Sequence, residues 1–189
     1  MSTSIFSVDS FKAALNGGGA RPNQFTVSLR FPTYVTYGTN AATQAQFLVS
    51  STTLPGTIMG VAPVMYRGRE VHLAGDRQFA PWSITVVSDT TMNIRNSFEQ
   101  WVNGMDDLQY KAGRIDPVNY QVDLVVSQLD RNNTIIKEYY INNAFPMNIT
   151  DISLDYGAND QLEQFSVEFV YQDYTTNFIP LTSGETFAG

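Results

Sequence analysis

Between residues 23 and 31 apolar and polar side chains alternate. Phe25, Val27, Leu29 and Phe31 fall on one side, and Gln24, Thr26, Ser28 and Arg30 on the other. A period of two predicts a strand with one buried face. Pro32 stops it, because proline has no amide to give to a ladder. Residues 33–43 are polar and contain Gly38-Thr39-Asn40, so they read as a turn or an insertion. A short strand is predicted over 45–51, then a turn at Leu54-Pro55-Gly56-Thr57. Residues 64–66 and 69–73 read as two strands or one bent strand, closed by a turn at Gly75-Asp76-Arg77. Residues 82–87 alternate again, with Trp82, Ile84 and Val86 on one face.

The period then lengthens. Ile94, Phe98, Trp101, Val102 and Met105 recur at helical spacing, which predicts an amphipathic helix capped by Thr90 or Thr91, with Gly104 at its end. A charged loop over 106–117 leads to two long strands, 119–129 and 134–142, joined at Asp130-Arg131-Asn132-Asn133. A second hairpin is predicted from 150–156 and 162–171, joined at Gly157-Ala158-Asn159-Asp160. Its apolar face holds Ile152, Leu154, Tyr156, Phe165, Val167, Phe169 and Tyr171; its wet face holds Asp151, Ser153, Asp155, Gln164, Ser166 and Glu168. At the N-terminus Ser7 can cap a short helix with Phe11, Ala14 and Leu15 on one face, ended by the hinge-like Asn16-Gly17-Gly18-Gly19. About eight strands and two helices predict a mainly β fold. The expected form is a two-sheet sandwich or open β-barrel with one packed α-helix and a short N-terminal helix. It forms a single domain over 1–189, with an extended N-terminal segment (1–22), an insertion (33–43) and a C-terminal tail (173–189).

Composition narrows the function more than the fold. Twelve Phe, ten Tyr and two Trp supply a core and exclude a disordered chain. No apolar run approaches the roughly 20 residues of a membrane span, and the first residues lack the basic and apolar blocks of a signal peptide. The absence of cysteine removes disulfides, thiolate chemistry and most structural zinc sites, and suits a protein made in a reducing cytoplasm or one stabilised by partners rather than by crosslinks. Net charge is −7. Residues 1–95 carry 7 basic and 4 acidic side chains, and residues 96–189 carry 4 basic and 14 acidic. That distribution reads either as a soluble acidic surface, as in most proteins, or as head-to-tail complementarity between copies, and no basic stripe exists to neutralise phosphate.

Catalytic groupings are not found. His72 is the only histidine, so a triad or a metal site has little to build on, and no Gly-x-Ser-x-Gly elbow occurs. Asp106-Asp107 and Asp151/Asp155 read as a solvated acidic face rather than an acid–base pair. Phe98 and Trp101 read as core, as does Trp82. Arg67, Arg69 and Arg77 cluster near turns. They are suited to an anion, to pairing with Asp76 or Glu70, or to a neighbouring subunit's carboxylates.

Four segments, in order, carry a resemblance: Ala20-Arg21-Pro22-Asn23-Gln24-Phe25; Thr53-Leu54-Pro55-Gly56; Ala74-Gly75-Asp76-Arg77-Gln78-Phe79-Ala80-Pro81-Trp82; and residues 93–101. Over roughly residues 20–174 the chain resembles the tail tube proteins of contractile-tailed bacteriophages, whose fold is shared by bacteriocin and type VI secretion tubes. The resemblance implies a structural virion protein with no catalytic, cofactor or metal site. It also implies hexameric rings stacked into an inner tail tube that conducts DNA into the host. Implied partners are further copies of the chain, the tail sheath protein, baseplate and tail terminator proteins, and DNA as non-sticking cargo, with no membrane insertion. Assembly is expected in the host cytoplasm, and the final location in the virion tail. In that setting Asp123, Glu138, Asp151, Asp155 and Glu168 are candidate lumen acids. Arg69, Asp76 and Arg77 are candidate subunit contacts or turn pairs, and the Gly-rich N-terminal region, residues 33–53 and the C-terminal tail are candidate ring-to-ring contacts. The alternatives are the tube of a phage-like bacteriocin or type VI-type injection system, a β-sandwich ligand-binding module and, least, a hydrolase using His72.

Overall fold

A computed structural model describes residues 8–15, 19–106 and 116–177. Ser7, the glycines at 17 and 18, most of the charged loop and residues 178–189 lie outside the described residues. The order is α1 (Val8–Ala14), β1 (Phe25–Ser28), α2 (Gly38–Leu48), β2 (Val49–Thr52), β3 (Thr57–Tyr66), β4 (Arg69–Phe79), β5 (Trp82–Val87), α3 (Asn93–Met105), a single 3-10 turn (Pro117–Asn119), β6 (Val122–Leu129), β7 (Ile135–Ile149), β8 (Gln164–Val170) and β9 (Asp173–Thr176). The fold is mainly β, as its periodicity predicts.

One open antiparallel sheet runs β1-β6-β7-β8-β5-β2, with β9 also on β7; β3 and β4 form a separate ribbon. The long strand β7 holds the sheet together. Its first part pairs with β6 and β9, and its last part, from Phe145, pairs with β8. Near the change of partner Asn143 takes a positive φ of 53° and the ladder with β6 shifts register between Val122 and Leu124. Bulges bend strands, so the sheet curls into two halves around one core. Val27, Leu124, Val126, Ile141 and Ala144 enter from the β1-β6-β7-β9 half; Trp82, Ile84, Val86, Phe165, Val167 and Phe169 enter from the β7-β8-β5-β2 half.

Helix α3 closes this core with Ile94, Phe98 and Trp101. The Phe98 ring lies 5.1 Å from that of Phe31 and 5.9 Å from that of Phe169. Such side chains each stabilise by roughly 1.5–3 kcal/mol on burial. The indole amides are satisfied: Trp82 Nε1 donates to the Thr53 carbonyl at 2.7 Å and Trp101 Nε1 to that of Tyr120 at 2.8 Å.

Several local expectations are corrected. Residues 38–48 are a helix, where a polar insertion and the start of a strand were expected, and β2 is confined to Val49–Thr52. The helix is specified by small residues: Ala41 and Ala45 are fully buried one turn apart, and a Cβ on Gly38 would meet the Phe31 Cβ at 2.8 Å. Leu54-Pro55-Gly56 is an irregular connection rather than a turn, with Pro55 buried. Gly75-Asp76-Arg77 lies within β4, not in a turn; the real turn is Arg67-Gly68, both at positive φ (49° and 77°), as a two-residue hairpin of the mirror-image type requires. Neither Thr90 nor Thr91 caps α3. Met92 holds the cap position at φ 54°, and the Thr91 hydroxyl hydrogen-bonds to Asp89. No strand covers 150–156: β7 itself runs on to Ile149, and a long loop leads to β8. The apolar face expected there is split, with Leu154 and Tyr156 fully outside. Helix α1 buries none of its residues.

Candidate assembly surfaces

The β3–β4 ribbon is an arm. Its ten-residue first strand spans about 33 Å at ~3.3 Å per residue, and nearly all of both strands is exposed. Register puts Ala62, Val64 and Tyr66 on the same face as Leu73, Val71 and Arg69, and Val61, Pro63 and Met65 on the other with Ala74, His72 and Glu70. Val61, Met65 and Tyr66 are each more than 60% exposed and Leu73 53%. An apolar surface of this length left open on a monomer marks an interface. The base is held by Phe79, whose ring lies 5.7 Å from Tyr171 and 5.6 Å from Tyr174, and by a 2.7 Å hydrogen bond between the Thr57 and Tyr174 hydroxyls. Where the register shifts, Gly60 and Gly75 meet backbone to backbone; a Cβ on Gly75 would lie 3.1 Å from the Gly60 carbonyl carbon. This explains the Ala-Gly-Asp-Arg-x-Phe-x-x-Trp run: Gly75 permits the bulge, Phe79 anchors the arm, and Trp82 begins the buried strand.

Arg69, Asp76 and Arg77 are exposed β4 residues, and none forms an ion pair among the described residues. Arg67 sits over the Tyr66 ring at 5.4 Å. His72 lies on the exposed arm with Nδ1 3.9 Å from a Glu70 carboxylate oxygen. No group of three or more His, Asp or Glu is placed to hold a metal among the described residues.

The second surface is the face of the β1-β6-β7-β9 half turned away from the core. Asp123 stands there, its carboxylate accepting from the Asn143 amide at 3.0 Å. Glu138 stands opposite Ser127 and accepts from the Ser127 hydroxyl at 2.9 Å and from the Tyr140 hydroxyl at 2.5 Å. That bond to a carboxylate, with burial and the nearby charge as lesser causes, raises the Tyr140 pKa above its usual 10.0. Asp173, opposite Asn142 and hydrogen-bonded to it, adds a third carboxylate. Sequence reasoning missed Asp173, because the four-residue strand that carries it has no readable period. Glu168 lies on the outward face of the other half, 3.4 Å from the Asn148 side-chain amide. Asp151 and Asp155 are not on a hairpin face at all: both are exposed in the loop between β7 and β8, where Asp155 accepts from the Gly157 amide at 2.9 Å. Trp82, Phe98 and Trp101 are at most 1% exposed.

Both outer strands of this half, β1 and β9, have one edge without a partner among the described residues. A curled sheet with two such edges, an apolar arm and a carboxylate-bearing face has the geometry of a structural β-subunit that can pair with further strands. The chain belongs to the phage tail tube protein family, whose model matches residues 20–177. It is 30% identical over 166 residues to tail tube protein gp19 of Enterobacteria phage T4, covering 86% of this chain and 95% of the relative, and 27% identical to the tail tube protein of Serratia phage KSP90, covering 87% and 93%. Among solved structures, a chain of the anti-feeding prophage baseplate matches with a TM-score of 0.60 at 14% identity, covering 84% of this chain and 95% of that one. A chain of the PVC sheath–tube complex in the extended state matches at 0.52 and 15%, covering 92% and 99%. These two share the fold. The protein is thus a phage tail tube protein, a structural component of the tail.

Proposed function

We propose that copies of this chain close into hexameric rings, which stack into a hollow tube inside a contractile sheath and conduct DNA into the host. The observation that carries this reading is strand direction. Along β1-β6-β7-β9 every neighbour is antiparallel, so β9 of one copy beside β1 of the next continues the alternation, and a rotated series closes with no edge left open. The core side of that half is already covered by the other half and α3, so the ring's inner wall is the opposite face, with Asp123, Glu138 and Asp173. Acidic walls repel phosphate and let DNA slide. Glu168 then faces outward, and Asp151 and Asp155 belong to an axial end. Partners are further copies, the sheath, and the baseplate and terminator proteins at the tube's two ends. Assembly occurs in the host cytoplasm, and the protein has no catalytic role.

The test is an edge block. Asn177 donates its amide to the Glu138 carbonyl at 3.2 Å, so by alternation the Thr176 amide points away from β7. Thr176→Pro removes that outward donor and leaves the inward ladder intact. Negative-stain microscopy should find rings and tubes for the parent chain, and monomers of unchanged melting temperature for the variant. Rings from the variant would reject the β1–β9 seam; a parent chain that stays monomeric at high concentration would reject the tube.

A further inference from the structure

The register of the β1-β6-β7-β9 half lines up its outward face in rows. Ser28 stands opposite Val125, Val125 opposite Tyr140, and Tyr140 opposite Thr175. A second row holds Thr26, Ser127 and Glu138. Two residues beyond Ser28, the same face brings Arg30 into line with Asp123, Asn142 and Asp173. The alternation of β1 continues that far, since Val27 and Leu29 are buried and Arg30 is exposed. Arg30 is the one basic side chain in these rows, and it forms no ion pair among the described residues. An unpaired cation on this wall would hold phosphate. At the other end of the row Asp173 is exposed on the edge strand β9, where the Asn142 side chain donates to its carboxylate. Within one copy Arg30 and Asp173 stand at opposite edges, with β6 and β7 between them. Three strand spacings separate them, roughly 14 Å.

In a closed ring that separation falls to one strand spacing, because β9 of one copy lies beside β1 of the next. An even stagger at the seam keeps the outward face continuous. A guanidinium then reaches a carboxylate directly opposite, or one on the diagonal at about 7–8 Å. We propose that Arg30 of one copy pairs with Asp173 of the next across the β1–β9 seam, on the lumen side. This rests on the ring reading and adds what strand direction leaves open, the register. Backbone hydrogen bonds form at any even stagger. The ion pair restricts the seam to registers that set Arg30 opposite Asp173 or one same-face position from it. It also neutralises the wall's cation, leaving the carboxylates of Asp123 and Glu138 in excess.

Charge exchange tests the pairing. Arg30→Asp and, separately, Asp173→Arg should melt as monomers like the parent. Each sets like charges at every seam, so each should need at least about tenfold more protein to close into rings. Both still assemble at raised concentration, because the backbone ladder remains. An equimolar mixture should close near the parent's concentration, since alternating copies meet in opposite pairs around a ring of even number. The Arg30→Asp, Asp173→Arg double variant should recover in the same way. The chain has no cysteine, so Arg30→Cys with Asp173→Cys gives a second readout. A thiol crosslinker as long as the diagonal, ~8 Å, should join neighbouring copies in its rings. The pairing is overturned if parent rings form and either single reversal closes as readily as the parent. It is equally overturned if the mixture and the double variant both fail to recover, or if the crosslinker joins no copies. In each case the rings stand, held by their ladder alone. If the parent chain forms no rings, the tube reading itself fails, which the edge-block experiment also detects.

Discussion

Gly104 and Gly56 show how differently two glycines are constrained. Gly104 lies in the last turn of α3, where a Cβ would come within 2.1 Å of the Tyr34 ring. That ring is fixed, because its hydroxyl donates to the Trp101 carbonyl at 2.8 Å. Gly104→Ala must displace Tyr34 or the helix end, and urea unfolding should show a loss of about 1–3 kcal/mol. A Cβ on Gly56 meets nothing within 4 Å, so Gly56→Ala should unfold with the parent. Tyr171 is a different case. Its ring packs beside Phe79 and Tyr174, but its buried hydroxyl has no hydrogen-bond partner among the described residues. Burial, followed by the nearby Tyr174, raises its pKa above the usual 10.0. A raised folded-state pKa gives stability that is fully present below the unfolded value and lost as pH rises through the folded one. The parent should therefore weaken above pH 10.0. Tyr171→Phe should weaken less there, and at neutral pH should be unchanged or up to about 1 kcal/mol more stable, because it deletes an unsatisfied polar atom. Thermal melts from neutral pH into the alkaline range check both statements; a clear loss at neutral pH would mean that the hydroxyl has a partner.

At the scale of elements, the arm stands apart from the folding core. It contributes no buried residue to the core, apart from the partly buried Phe79 packed at its base. Gly75→Val would push a branched side chain into the Gly60 backbone, 3.1 Å from the added Cβ, and distort the ribbon. Monomer melting should stay within about 0.5 kcal/mol of the parent, while sedimentation should show the polymer lost. A large fall in melting temperature would instead make the arm part of the folding unit. The same division explains what could be read from the chain. Strands β5 and β8 and helix α3 bury one regular face each, so Trp82/Ile84/Val86, Phe165/Val167/Phe169 and Ile94/Phe98/Trp101 announce themselves by period. The arm faces no core of its own monomer. Its Ile58, Met59 and Val61 do not alternate with polar residues, and Gly60, Pro63 and Gly75 look like breaks. Helix α2 is fixed by the smallness of Gly38, Ala41 and Ala45, which carries little hydrophobic signal. In residues 150–156 period-two alternation is present but serves a loop, whose outward Leu154 and Tyr156 suit contact with another copy rather than a buried sheet face.

At the scale of the whole molecule, the proposed tube turns the outward face of the half-sheet toward the lumen. Asp123, Glu138 and Asp173 share one face of the half-sheet, and none of them forms an ion pair among the described residues. On the proposed lumen wall, one sign of charge would keep phosphate from binding. Asp123→Lys with Asp173→Lys should turn the wall adhesive. Glu138 is best left intact, since Ser127 and Tyr140 both donate to it. Tubes of the parent chain assembled with short duplex DNA should leave that DNA open to nuclease at roughly 50 mM salt, whereas tubes of the variant should protect it. Protection should fall steeply by about 200 mM, as counterion release requires. Nuclease protection separates inside from outside: DNA that binds the variant tubes but remains digestible lies on the outer wall. That result would place Asp123 and Asp173 there and reverse the orientation of the subunit in the ring.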